Sequence, residues 1–190
     1  IGRVEMNTEQ GHHQWGLFEG KPWALLNGVV DADGVKRAAY AISNFVYFFE
    51  MPFKFLDAGA YAEFVGEEII DGRTYDKVYV SFGLNVGTYP TDWYLAYFAH
   101  ATGRLASLIY TSVEKSPSFV EYCATFDGYQ EVDGLVIPTK VAVKMSRPIP
   151  GIRIHQWQIS DIRFDGGLTE AFFSMPGSSP AKPPATMSMR

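Results

Sequence analysis

Apolar and polar positions alternate with a period of two along most of this chain. Val78, Val80 and Phe82 fall on one side of a run whose other side carries Tyr79 and Ser81, and Trp93, Leu95 and Tyr97 oppose Tyr94, Ala96 and Phe98. Such alternation predicts extended strands. Both sides are apolar in these runs, which predicts a sheet covered on each face or curled around a cavity. The runs 119–126 and 137–144 alternate more cleanly: Ile137, Thr139, Val141 and Val143 are expected inward, Lys140 and Lys144 outward. Residues 152–164 are long enough for one further strand, with Ile152, Ile154, Ile162 and Phe164 on one face and His155, Trp157 and Ile159 on the other. Asp-Gly pairs at 33–34, 71–72, 127–128, 133–134 and 165–166 supply the positive φ of tight hairpins. The expectation is a mainly β protein of about nine or ten antiparallel strands in a meander.

One segment follows the period 3.6 instead. Val35, Ala38, Ala39, Ile42, Phe45, Val46 and Phe49 form an apolar stripe that Asp33 is expected to cap and Met51-Pro52 to stop. A helix of this kind cannot bury its stripe alone, so it is expected on the concave face of the sheet. From Ser174 to Arg190 the composition turns to Pro, Ser, Gly and Ala, which reads as a tail. The organisation expected is therefore one domain over residues 1–173 and a tail over 174–190. The alternation is already running at Arg3–Asn7, with neither an initiator Met nor a leader before it, so the chain is expected to be a piece of a longer one.

Composition narrows the partners. Of 190 residues, 47% are hydrophobic and 15% aromatic, enough for a sizeable core with aromatic surface left over. The formal net charge is −5 and Lys and Arg form no block, so a nucleic-acid partner is not expected. The longest apolar stretch, 38–49, is too short to span a bilayer.

Candidate chemistry is sparse. His12 and His13 are adjacent and should point to opposite faces of a strand, which prevents them from chelating one ion. His100 and His155 have no carboxylate at a local spacing suited to a general base. Cys123, the single cysteine, has the ordinary setting of a small core residue. Glu67 and Glu68 straddle a strand, one to each face, and no nucleophile elbow or phosphate loop occurs. No catalytic residue, cofactor or metal is expected on these grounds. The aromatic excess points instead to an apolar ligand in the concavity, lined by Phe45, Phe49, Phe53, Trp93, Leu95, Tyr97 and Trp157.

Three segments in fixed order carry a family resemblance. They are Gly66–Val78 with its Asp71-Gly72 turn, Asp92–Phe98 followed by Thr102-Gly103-Arg104-Leu105, and Val132–Lys140 with Gly134-Leu135-Val136-Ile137-Pro138-Thr139. Together, over about residues 53–175, they resemble the LolA-like outer-membrane lipoprotein-sorting superfamily. The resemblance implies a strongly curved antiparallel sheet, an incomplete β-barrel of about eleven strands with helices on its concave side. It also implies an acyl chain or other lipid as ligand, a periplasmic or cell-envelope location and peripheral association with a membrane. It assigns no individual residue a role, and one relative with this fold has acquired catalysis.

A non-enzymatic carrier or sensor of an apolar ligand is accordingly the first expectation. An enzyme acting on a small aromatic or amphiphilic substrate in the same cavity, with Tyr94, Tyr97, His155 or Glu67 as its polar groups, is the second. An interaction module, a homodimer among its forms, that uses an edge strand or the tail is the third.

Overall fold

The computed structural model of the protein describes residues 1–83, 93–112, 116–164 and 166–177. Asp92, the Asp165 half of the last Asp-Gly pair and the tail beyond Gly177 lie outside the described residues. In chain order the first elements are β1 (Gly2–Thr8), β2 (Gly11–Phe18), β3 (Lys21–Leu26), β4 (Val29–Val30) and α1 (Ala32–Phe49). There follow α2 (Met51–Lys54), β5 (Ala60–Ile70), β6 (Arg73–Phe82), β7 (Trp93–Ala99) and β8 (Arg104–Thr111). The remainder are β9 (Glu121–Asp127), β10 (Gln130–Val132), β11 (Leu135–Ile137), β12 (Lys140–Arg147), β13 (Arg153–Gln158) and α3 (Glu170–Phe173). The protein is thus mainly β, its sheets antiparallel and not closed into a barrel, with one long helix. Its contacts divide it into two compact units, Ile1–Tyr47 with Asp165–Arg190, and Phe48–Phe164.

In the first unit β1 to β4 form an antiparallel meander. Two of its three hairpins turn at Glu19-Gly20 and Asn27-Gly28, where both residues of each pair have positive φ. Met6 opposes His13, and His13 opposes Leu26, so these side chains share a face. α1 covers that face: a Cβ on Gly34 would come 2.9 Å from the Ala24 Cβ. Ala38 and Ile42 are buried beneath the helix. The other face carries α3, held by Trp23 Nε1 donating to the Phe173 carbonyl at 2.8 Å and Arg3 donating to that of Phe172 at 2.9 Å. The helix begins earlier than its stripe predicted. Asp31, not Asp33, accepts the Gly34 N–H, at 2.9 Å, so Asp33-Gly34 lies in the first helical turn and not in a hairpin.

The second unit contains a seven-stranded open sheet in the order β13-β12-β9-β8-β7-β6-β5, with β10 and β11 as a separate hairpin. Asp71-Gly72 and Asp133-Gly134 make the expected positive-φ turns, at φ 48° and 73° and at 50° and 81°. The run 137–144 is broken by Pro138-Thr139, yet Ile137, Thr139, Val141 and Val143 are all buried and Lys140 and Lys144 exposed. Within the break, Thr139 Oγ1 donates to the Gly128 carbonyl at 2.6 Å. The strand expected over 152–164 ends at Gln158, after which Ile159 N–H donates to the Thr139 carbonyl at 2.8 Å.

Candidate functional site

Directly opposed residues in a sheet share a face, so the register fixes which side chains meet. Tyr122 opposes Tyr110, Tyr110 opposes Tyr94, and Tyr94 opposes Val80. In the next row His155, Val143, Ala124, Leu108 and Ala96 oppose one another in turn, and Trp157 joins Val141 and Phe126 in a third. All of these lie on one face. The tyrosine rings form a ladder, with centroids 5.9 Å apart from Tyr94 to Tyr110 and 5.5 Å from Tyr110 to Tyr122. Phe82 meets Tyr94 edge-on at 5.6 Å, and Phe55, just after α2, reaches Tyr94 and Phe98 at 6.5 and 6.4 Å.

Phe48, near the end of α1, lies 5.6 Å from Tyr110, 5.4 Å from Trp157 and 6.2 Å from His155. His155 and Trp157 are themselves 4.3 Å apart. Each such pair contributes about 0.5–1.5 kcal/mol beyond area burial. Burial pushes the His155 imidazole below its usual pKa, and its Nε2 is buried without a hydrogen-bond partner among the described residues. The neutral ring therefore behaves as one more flat, largely apolar member of the cluster.

Of the seven residues expected to line the ligand site, the structure places Trp157 in this cluster. Trp93, Leu95 and Tyr97 occupy the opposite face, where Leu95 opposes Tyr79 and Ile109, and Trp93 stacks on Tyr79 at 6.2 Å. Tyr97 is buried there, and burial, with the Glu68 carboxylate beside it, pushes its hydroxyl pKa up. Phe45 and Phe49 are half-buried on α1, and Phe53, in α2, is exposed. Phe48, Tyr94, Tyr110 and Tyr122 belong to the cluster and are not among the seven. The signal for them lies in β9, where Tyr122, Ala124 and Phe126 alternate with Glu121, Cys123 and Thr125. That strand has one apolar side, and its parity carries through the register to β7.

The polar candidates do not converge. Tyr94 and His155 share the aromatic face, Tyr97 lies on the other, and Glu67 is exposed on the aromatic side at the β5 edge, opposite Asp76. Cys123 is half-buried, and burial raises its thiol pKa. His12 and His13 point to opposite faces as expected: His12 meets Asn7 at 3.0 Å, whereas buried His13 meets Thr8 Oγ1 at 2.9 Å. The first unit also has a surface pocket of about 460 Å³ lined by Met6, Thr8, Glu9, Gln10, His13, Trp15 and Arg37. His100 has a carboxylate neighbour that its local sequence does not supply: its Nδ1 lies 2.9 and 3.1 Å from the two oxygens of Asp76, in β6.

No family model matches the chain, and no curated protein matches it in sequence. Among solved structures it is similar to the LolA superfamily protein NE2245 from Nitrosomonas europaea, with 14% sequence identity and a TM-score of 0.47 over 91% of this chain and 70% of that one.

Proposed function

We propose that the protein is a non-enzymatic carrier or sensor that holds an acyl chain or another elongated apolar ligand against the aromatic face of the seven-stranded sheet. The observation that carries this reading is the run of rings from Phe55 through Tyr94 and Tyr110 to Tyr122, joined by Phe48 and Trp157. Phe48, Tyr94 and Tyr110 are buried, so the ligand enters by parting this ring cluster, whose flat, stiff side chains then give it contact area at small entropic cost. The overall negative charge disfavours an anionic ligand held by its charge alone. The resemblance of the motif order to the LolA-like superfamily supports a place at the cell envelope, and the ligand class suits it.

The reading is tested by native mass spectrometry and solvent extraction of the protein purified from cells. A co-purified fatty acid or phospholipid, exchangeable for a fluorescent fatty acid, is the expected result. Absence of bound lipid together with no uptake of the fluorescent probe overturns it.

A second reading rests on β5. This 11-residue strand is an edge of its sheet and exposes Tyr61, Phe64 and Ile69 by 64%, 62% and 73%. A long apolar edge is a template for strand addition by a partner. Self-pairing centred on Val65 would set Glu63 against Glu67, so a basic extended segment suits it better than a second copy. Binding of Lys-rich β-forming peptides, lost on replacing Phe64 by Lys, would favour this reading. Indifference to that change removes it.

A further inference from the structure

We propose that Glu67, Asp76 and His100 form a surface site for a divalent transition-metal ion of the zinc class. Glu67 and Asp76 are directly opposed in the β5–β6 register, so their carboxylates leave the sheet on the same side. Asp76 in turn opposes Phe98 of β7, and His100 follows two residues later. The His100 backbone N–H donates to the Thr74 carbonyl at 3.1 Å, which ties the turn carrying the imidazole to β6. One donor atom from each of the three side chains lies within 4.8 Å of the other two. Donors around a tetrahedral zinc stand roughly 3.4 Å apart, given bond lengths of about 2.0–2.2 Å. Closure therefore asks for a shift of about 1 Å, within reach of exposed Glu67 and His100 side chains standing on fixed backbone.

Two features separate this group from an ordinary acidic patch. The first is its donor set: one imidazole with two carboxylates suits zinc and its first-row neighbours, whereas calcium and magnesium prefer oxygen alone. The second is electrostatic. Like charges directly opposed across two strands destabilise the pairing. The adjacent Glu68, on the other face, is compensated by Lys77 at 3.2 Å, but no lysine or arginine pairs with Glu67 among the described residues. A cation held between Glu67, Asp76 and the imidazole removes that repulsion. Three protein ligands would leave a fourth position for water.

The test is calorimetric titration of the full chain with zinc chloride at neutral pH, with calcium chloride as comparator. One zinc per chain is expected, with no competition from calcium, and His100→Ala and Asp76→Asn should each weaken binding by about tenfold or more. His12→Ala, at a separate histidine in the first unit, should leave the isotherm unchanged. Circular dichroism establishes that the variants fold, which substitutions at exposed His100 and at half-buried Asp76 and His12, outside the core, should permit. No zinc binding by the unmodified chain, or an isotherm that His100→Ala leaves intact, overturns the proposal and leaves the group as an imidazole–carboxylate pair.

Discussion

The two faces of the seven-stranded sheet are cut from the same strands and both carry aromatic residues, yet they are different surfaces. On one, Val80, Ala96, Leu108, Ala124 and Val143 are wholly closed off beneath a network of rings. On the other, Tyr79, Trp93, Leu95, Ile109 and Tyr97 are interleaved with Lys77, Glu68, Cys123, Thr125 and Lys144. Apolar residue count in a single strand therefore does not decide which face is the apolar one. The neighbouring strands decide it, because the hydrogen-bonded register makes every cross-strand row commit to one side.

The largest effect that could break this contrast is on stability. Leu108→Ala removes a fully buried side chain from the aromatic face and should cost about 2–5 kcal/mol in urea unfolding. Leu95→Ala, on the half-buried opposite face, should cost less than half as much. Equal losses would show that the two faces are alike in packing.

Ligand binding sharpens the contrast next. Trp157→Ala should weaken uptake of a fluorescent fatty acid about tenfold, a loss of about 1.4 kcal/mol, as expected for a large ring at an apolar contact. Trp93→Ala should change it by less than about twofold. The reverse order would move the ligand to the other face.

Much of the fold was readable from pattern because it depends on local rules. The turns at Asp71-Gly72 and Asp133-Gly134 need positive φ at both residues, and the inward choice of Ile137, Thr139, Val141 and Val143 needs only alternation. The site was less readable for the same reason. In β7 both sides of the strand are apolar, so Trp93, Leu95 and Tyr97 could not be told from Tyr94 and Ala96 without the partner strands. The cap at Asp31 was missed because Asp33 is equally good chemistry two residues away, and only the Gly34 N–H shows which is used. The carboxylate beside His100 comes from 24 residues earlier, a distance that no local motif spans.

A smaller effect concerns pH. Burial holds the folded His155 pKa below its unfolded value, which is about 6.5. The unfolded chain thus binds the proton more readily, and the contribution of this residue is present above that pH and declines as the pH falls below it. The difference in stability between the unmodified chain and His155→Gln should therefore change between neutral pH and about pH 5, through loss on the side of the unmodified chain. A pH-independent difference would place His155 in a solvated setting. The smallest effect is at Cys123, whose raised pKa should make alkylation by iodoacetamide at neutral pH slower than that of an unhindered thiol.

The most direct test uses the tryptophans that the two faces provide. In variants retaining only Trp157 or only Trp93, with the other tryptophans replaced by Phe, a brominated fatty acid quenches fluorescence by contact. Strong saturable quenching of Trp157 with little change at Trp93 is the predicted result. Quenching confined to Trp93, equal at both or absent from both would contradict an apolar ligand held on the aromatic face.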